Sequence, residues 1–315
     1  MNTVLLTGAT GFLGRHLLPI LTDRYGAQNV VPVSTRDADL MDRAQVRSLL
    51  ERVSPDIVVH LAAYSGGIGA NRTYPADFYF QNTLLTALMF EEASRRKVRK
   101  LIYTMGGCSY PATAKSPIDE SQMFGGYPQA ESAGYSTAKM MGIVAARSYK
   151  QQYGINATVL IPGNMYGEYD NFRTLDSHVV PGMLRRYYEA KLQNVDNVTM
   201  WGTGKPQRDF VYAGDVARCI PYFIDNFDDV GPVNISSGTT TSIRTLAETI
   251  ASVTQFKGRI QWDDSKPDGQ MVKIFAVDRL KSLGLSCDTL LDDGLAKTAD
   301  WFVRNHASAG DGLRL

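Results

Sequence analysis

Cysteine is scarce in this chain of 315 residues, and Cys108, Cys219 and Cys287 are its full complement. An odd count with no Cys-x-x-Cys pair offers neither a disulfide framework nor a zinc site, so no metal is expected. Excess charge is also missing: Lys+Arg 33 against Asp+Glu 32 gives a formal net charge of +1. That balance provides no basic field for nucleic acid or for an anionic membrane. No apolar run reaches the length of a membrane span, and "MNTVLLTGATG" has neither the charged flank nor the cleavage site of a secretory signal. A soluble, cytoplasmic protein is the expectation. Histidine is nearly as rare as cysteine, with His16, His60, His178 and His306 alone. Internal repeats and low-complexity tracts are absent.

What is present is alternation. "TVLLTGA", "NVVPVS", "DIVVHLAA", "RKLIYTM" and "NATVLIPG" read as short buried strands, and "GRHLLPILTDRYG", "RAQVRSLLERV", "ADFYFQNTLLTALMFEEASRRK" and "SAGYSTAKMMGIVAARSYKQQYG" as the helices between them. This order predicts an α/β protein: a Rossmann-type doubly wound parallel sheet with a smaller mixed α/β cap that binds substrate. The expected division is a nucleotide-binding domain over 1–165, to which the chain returns at about 205–235, and a cap from 166–204 and 236–315. "RDFVYAGDVARCIPYFIDN" and "GPVNISSG" carry that return.

The first strand-to-helix turn is "TGATGFLG". Gly8 suits the tight turn, Gly11 a close backbone approach to a pyrophosphate, and Gly14 the packing of helix on sheet. A ribose with free hydroxyls calls for an acidic residue at the end of the second strand, whereas a 2′-phosphate calls for cations. Here "STRD" places Arg36 at that strand end and Arg15 follows Gly14, which favours NADP(H) over NAD(H). Asp39 is placed against the adenine edge, and Ala62 in "HLAA" is small enough for the cofactor to pass.

Tyr135 and Lys139 in "GYSTAK" stand at i and i+4, on one face of a helix. A lysine beside a tyrosine near an oxidised nicotinamide lowers the phenol pKa, so that its proton moves near neutral pH. Cys108 lies at a strand's carboxyl end, where side chains meet ligand, while Cys219 and Cys287 read as buried hydrophobes. His178 falls in a polar segment, "TLDSHVVPG", whereas His16, His60 and His306 have structural readings.

With these motifs the sequence resembles the extended short-chain dehydrogenase/reductase superfamily. Within it the chain is similar to the GDP-L-fucose synthases and related enzymes of GDP-4-keto sugars. The narrower resemblance rests on "GGIGANRTYPADFYFQN" (66–82), "SHVVPGMLRR" (177–186), "WGTGKPQRDFVYAGD" (201–215) and "SKPDGQMVK" (265–273). It implies C3 and C5 epimerisation of a GDP-keto sugar, with Cys108 and His178 as base and acid, then hydride delivery to C4 with Tyr135 as proton donor. It further implies that Arg186 and Arg208 hold the pyrophosphate, that Asn164 contacts the sugar diphosphate, and that Trp201 and Lys273 lie near the nucleotide. A homodimer through the helices near 83–97 and 135–153 is implied as well.

The chain departs from that pattern at "YTMGGCSYP" (103–111). Four residues before Tyr110, where the superfamily carries the serine or threonine that bonds O4, stands Gly106, and Gly107 follows it. Strand alternation would set Thr104, Gly106 and Cys108 on one face and Ser109 on the other. Val272 also replaces a residue that is basic in fucose synthases. Two other readings therefore stand beside the reductase: a sugar-nucleotide isomerase that recycles a tightly held cofactor, and a catalytically silent nucleotide-binding homologue.

Overall fold

In the computed structural model residues 2–173 and 177–309 are described, with side chains through residue 306. Each strand pattern of the first half folds as a strand: β1 (Val4–Thr7), β2 (Val30–Val33), β3 (Ile57–His60), β4 (Lys100–Thr104) and β5 (Asn156–Pro162). The connecting helices are α1 (Phe12–Tyr25), α2 (Arg43–Val53), the short α3 (Ile68–Thr73), α4 (Pro75–Arg95) and α5 (Ala133–Tyr153). Local chemistry sets their ends. Asp42 caps α2 by accepting from the backbone N–H groups of Ala44 and Gln45, and α5 stops at Gly154, which takes the left-handed conformation at φ 75°.

The second half contains β6 (Asn164–Tyr166), α6 (Val179–Leu192), β7 (Asn197–Trp201), β8 (Gln207–Arg208), β9 (Phe210–Tyr212), α7 (Ala213–Asp225) and β10 (Val233–Ile235). It ends with β11 (Thr241–Ser242), α8 (Ile243–Thr254), β12 (Arg259–Asp263), β13 (Val272–Lys273), α9 (Asp278–Ser282) and α10 (Leu291–Ala309). The main sheet has six strands in the order β10-β5-β4-β3-β1-β2, every neighbour pair parallel. The order reverses beside β1, where Thr7 is in register with His60 of β3. Ligands of open parallel sheets bind at such a reversal, beyond the carboxyl ends of the strands.

Because strand side chains alternate, the sheet feeds two cores. Val4 and Leu6 face α1 and α7, with Leu17, Leu21, Ile220 and Phe223. Leu5, Val58 and Leu101 face α2, α4 and α5, with Leu49, Phe90 and Ile143. A third cluster, built on Leu184, Tyr187, Leu246, Ile250 and Phe302, lies among α6, α8 and α10.

Of the three strands in the expected return, β8, β9 and β10, one joins the main sheet, and β8 lies between β11 and β13. β10 pairs with β5, whereas β9 pairs with β6 in a separate two-stranded sheet. β9 is only three residues long and runs straight into α7, which packs on α1 and delivers the chain to the sheet edge.

Gly14 shows how tightly the first turn is closed. A Cβ there would lie 2.2 Å from the Gly8 carbonyl oxygen and 2.8 Å from the Ala9 Cα, and both obstacles are backbone. Gly14→Ala is therefore expected to lower stability by about 1–3 kcal/mol, the usual cost of overpacking. Urea unfolding should show a lower midpoint with an unchanged slope.

Candidate active site

The turn after β1 forms the first part of the site. Gly8 has φ +70°, and its carbonyl accepts from the Gly11 N–H at 3.0 Å. A Cβ on Gly8 would meet the Ala62 nitrogen at 2.8 Å, so the chain leaving β3 runs directly against this turn. Gly11 caps α1 without a side chain, leaving the helix N-terminus free of an internal anion. Arg15, in the first turn, stands 5.2 Å over the Tyr169 ring. At the end of β2 the Asp37 carboxylate accepts from the Ser34 N–H at 2.8 Å and from its hydroxyl at 2.7 Å. Asp37 is thus absorbed in its own turn, and Arg36 is exposed. Asp39 is exposed as well, and its carboxylate accepts from the Met41 N–H at 2.9 Å.

The second part is the stretch after β4, which does not continue as a strand. Gly107–Ser109 forms a 3-10 turn, closed by the Ser109 N–H on the Gly106 carbonyl at 3.0 Å. Strand alternation therefore fails beyond Gly106, where the backbone leaves the extended conformation for the 3-10 turn. The turn brings the Cys108 thiol back over Gly106. A Cβ on Gly106 would lie 3.2 Å from Cys108 Sγ, 3.6 Å from Tyr135 Cε1 and 3.7 Å from the Tyr135 hydroxyl. Thiol and phenol thus converge on Gly106. Gly107 is constrained from the other side, since a Cβ would meet the Phe275 ring at 2.3 Å.

Lys139 is 2% exposed, and its Nζ stands 4.2 Å over the ring of Tyr103. Tyr103 is itself fixed by hydrogen bonds to Thr86 and to the Lys139 carbonyl. Burial pushes the Lys139 ammonium down to about 7, against a smaller opposing pull from Cys108. Tyr135 is partly exposed, yet burial of its phenol raises its pKa, with Cys108 and Tyr103 adding to the rise. In the protein alone burial dominates the Tyr135 phenol, and the Lys139 ammonium is engaged with the Tyr103 ring.

The third part is a pair of cations. β13 pairs with β8 so that Lys273 stands directly opposite Arg208. Burial pushes both below their ordinary values, and the Cys108 thiol pulls Lys273 the other way. Like charges placed directly across a ladder repel each other, and burial adds desolvation. Such a pair is suited to a multiply charged anion. Asn164, at the start of β6, donates from Nδ2 to the Asp209 carbonyl at 2.9 Å, so its side chain holds the neighbouring strand. Trp201 is 74% exposed at the end of β7, which excludes a core role. Arg186 on α6 is exposed and lines a cavity of about 350 Å³ with Gln193, Asn197 and Thr199.

His178 is the residue before α6, with a side chain 55% exposed and Nδ1 3.8 Å from Asp170 Oδ1. His60 is fully buried, with Nδ1 2.8 Å from the Thr7 hydroxyl, and burial pushes its pKa down to about 3. It is neutral at pH 7. Among the described residues no group of three or more His, Cys, Asp or Glu is placed to hold a metal ion, and no helix is long and apolar enough to cross a membrane.

A parallel sheet with a glycine turn after its first strand and a tyrosine and lysine on one buried helix face matches the family model described as "NAD dependent epimerase/dehydratase family" over residues 4–236. The chain belongs to this family. GDP-L-fucose synthase 1 of Arabidopsis thaliana is 36% identical over 302 residues, which are 96% of this chain and 93% of that protein. The crystal structure of a GDP-L-fucose synthetase from Naegleria fowleri bound to NADP superposes with a TM-score of 0.89 at 27% identity, covering 98% of this chain and 95% of that one. A GDP-mannoheptose C4 reductase from Campylobacter jejuni with NADP bound gives 0.86 at 27% identity, covering 96% and 98%. The fold of the NAD dependent epimerase/dehydratase family therefore extends to this chain.

Three residues of the site escaped the sequence reading. Tyr103 carries the lysine, Phe275 closes on Gly107, and Asp209 binds the parts together. Asp209 lies inside "QRDFVYAGD", beside Arg208, and that adjacency was its only signal.

A stability measurement tests the lysine environment. Between about 7 and the ordinary lysine value of 10.5 the unfolded chain binds more protons than the folded one. The burial penalty is therefore full at and below neutral pH and is relieved as pH rises through that window. Lys139→Met is expected to be more stable than the wild type at pH 7, and the difference should shrink as pH rises towards the upper limit.

Proposed function

We propose that this chain is an NADP(H)-dependent epimerase and 4-keto reductase of a GDP-linked keto sugar. The observation that carries this reading is the convergence of the Cys108 thiol and the Tyr135 hydroxyl on Gly106. A donor and an acceptor of protons thus meet at one residue, with the Lys273 and Arg208 cations nearby to hold a diphosphate.

The glycine cradle fits a dinucleotide. Gly8, Gly11 and Gly14 bring backbone N–H groups and the α1 N-terminus to its pyrophosphate. Arg15 and the exposed Arg36 face the position of a 2′-phosphate, Asp39 the adenine, and Ala62 lines the passage. Absorption of Asp37 in its own turn removes the carboxylate that would hold free ribose hydroxyls, which favours NADP(H) over NAD(H). When bound, the cofactor supplies hydride to C4.

The residues of the chain do the rest. A ketone at C4 acidifies the C–H bonds at C3 and C5. Cys108 takes such a proton and His178 returns one to the opposite face, while the Tyr135 hydroxyl stabilises the enolate oxygen. Tyr135 then gives its proton to O4 as the alcohol forms, with Lys139 beneath it. Arg208, Lys273 and Arg186 hold the diphosphate, Asn164 keeps the strand carrying Arg208 in place, and the exposed Trp201 offers a face to the nucleotide. The enzyme works in the cytoplasm as a homodimer, through α4 and α5, where Tyr79, Phe80, Val144 and Tyr153 are exposed.

Gly106 favours a second reading of the substrate. With no hydroxyl at 106, the site takes a sugar bearing a further substituent, such as a heptose, and reduction can proceed without epimerisation.

The test is turnover in deuterated water with NADPH and either GDP-4-keto-6-deoxymannose or a GDP-4-keto-heptose. Net loss of nicotinamide absorbance is expected with at least one of them. Tyr135→Phe should slow reduction by about 10²–10⁴-fold, the usual contribution of a positioned acid, while deuterium still enters the sugar. Deuterium entry with no cofactor consumed would replace this reading by the recycling isomerase. No turnover of either sugar would leave the silent homologue.

A further inference from the structure

The segment between β6 and α6 holds a buried carboxylate that no step above uses. Asp170 is 3% exposed. Its Oδ1 accepts from the Asn171 N–H at 2.7 Å and lies 3.8 Å from His178 Nδ1. Its Oδ2 is buried without a hydrogen-bond partner. A carboxylate withdrawn from water in this way is costly unless a positive charge stands close. Two histidines are in reach of its field. His16 sits on α1, with Nε2 3.0 Å from the Glu168 carbonyl and 3.9 Å from Glu168 Oε2. Burial nevertheless lowers the pKa of His16, against the pull of Glu168 and Asp170. The Glu168 carboxylate, in turn, accepts from the Tyr212 hydroxyl at 2.8 and 3.0 Å. His178, with a half-exposed side chain, stands 3.8 Å from the Asp170 carboxylate.

We propose that Asp170 is the positioning residue for His178: its carboxylate stands against the Nδ1 side of the imidazole that exchanges a proton with the sugar. The arrangement sets Nδ1 on the carboxylate's side of the ring, 3.8 Å from Oδ1. It also favours the imidazolium, the form that a proton donor needs. His178 precedes the first turn of α6, where the helix dipole disfavours a cation. A carboxylate behind the ring offsets that. This inference rests on the epimerase reading for its consequence in turnover, but the His–Asp pair itself is a property of the protein alone.

Two measurements separate the pair from the function. In the first, the His178 ring is titrated by NMR in wild type and in Asp170→Asn, which keeps the shape and removes the charge. Arg15, His16 and Glu168 are common to both proteins. A lower midpoint in the variant is expected, and an unchanged one would overturn the proposal whether or not the enzyme turns over. In the second, deuterium entry into the GDP-keto sugar is followed in wild type, Asp170→Asn, His178→Ala and the double variant. Asp170→Asn should slow exchange by about tenfold or more at an unchanged KM. It should add nothing in the His178→Ala background, because the two residues act as one unit. Additive losses would assign Asp170 a merely structural role. A lowered midpoint with no deuterium entry in the wild type would keep the pair and remove the epimerase reading.

Discussion

Asp209 lies fully buried where the two halves of the molecule meet, and the geometry of the site depends on its hydrogen bonds. Its carboxylate accepts from the Ser237 hydroxyl at 2.7 Å, the Ser237 N–H at 3.2 Å, the Gly238 N–H at 3.1 Å and the Phe275 N–H at 3.4 Å. Its own N–H donates to the Lys273 carbonyl at 3.2 Å, and its carbonyl accepts from Asn164. One residue thereby ties the loop after β10, the strand carrying Lys273, and the start of β6. Phe275, held in this way, closes on Gly107 and sets the turn that carries Cys108. Burial raises the Asp209 pKa, and the surrounding donors pull it back. The several donors aimed at it are what keep an ionised group tolerable there.

The site is assembled from groups whose burial is costly in the protein by itself. Lys139 is pushed down to about 7, Tyr135 is pushed up, and Lys273 stands across from Arg208 with both below their ordinary values. Strongly perturbed groups cluster where chemistry is done, and a structural core would avoid them. The cations favour an anion, and the thiol and phenol face a proton-exchanging group. A phosphorylated carbonyl compound satisfies both demands at once.

The nucleotide half was legible because its signals are local. Strand runs, the glycine spacing at 8, 11 and 14, and the i, i+4 step from Tyr135 to Lys139 all operate within a few residues. What the sequence hid is long-range or conformational. Asp209 meets Phe275 across 66 positions, and Lys139 meets Tyr103 across helix and strand, pairings that no periodicity encodes. The stretch after Thr104 misled for a different reason. An apolar run continues the strand pattern, whereas Gly106 and Gly107 permit a coil that alternation does not describe. The exposure of Trp201 follows from its place at the end of a peripheral strand.

The claim at the centre of this account is that the reacting carbonyl binds where the Cys108 thiol and the Tyr135 hydroxyl converge on Gly106. A crystal structure with NADPH and a GDP-4-keto sugar, or its 4-hydroxy product, tests it directly. The account predicts O4 within hydrogen-bond distance of the Tyr135 hydroxyl, the C3 or C5 edge against Cys108 Sγ, and the diphosphate between Arg208 and Lys273. A sugar ring bound with C4 away from Gly106, or a diphosphate that leaves Arg208 and Lys273 without an anion, would contradict it.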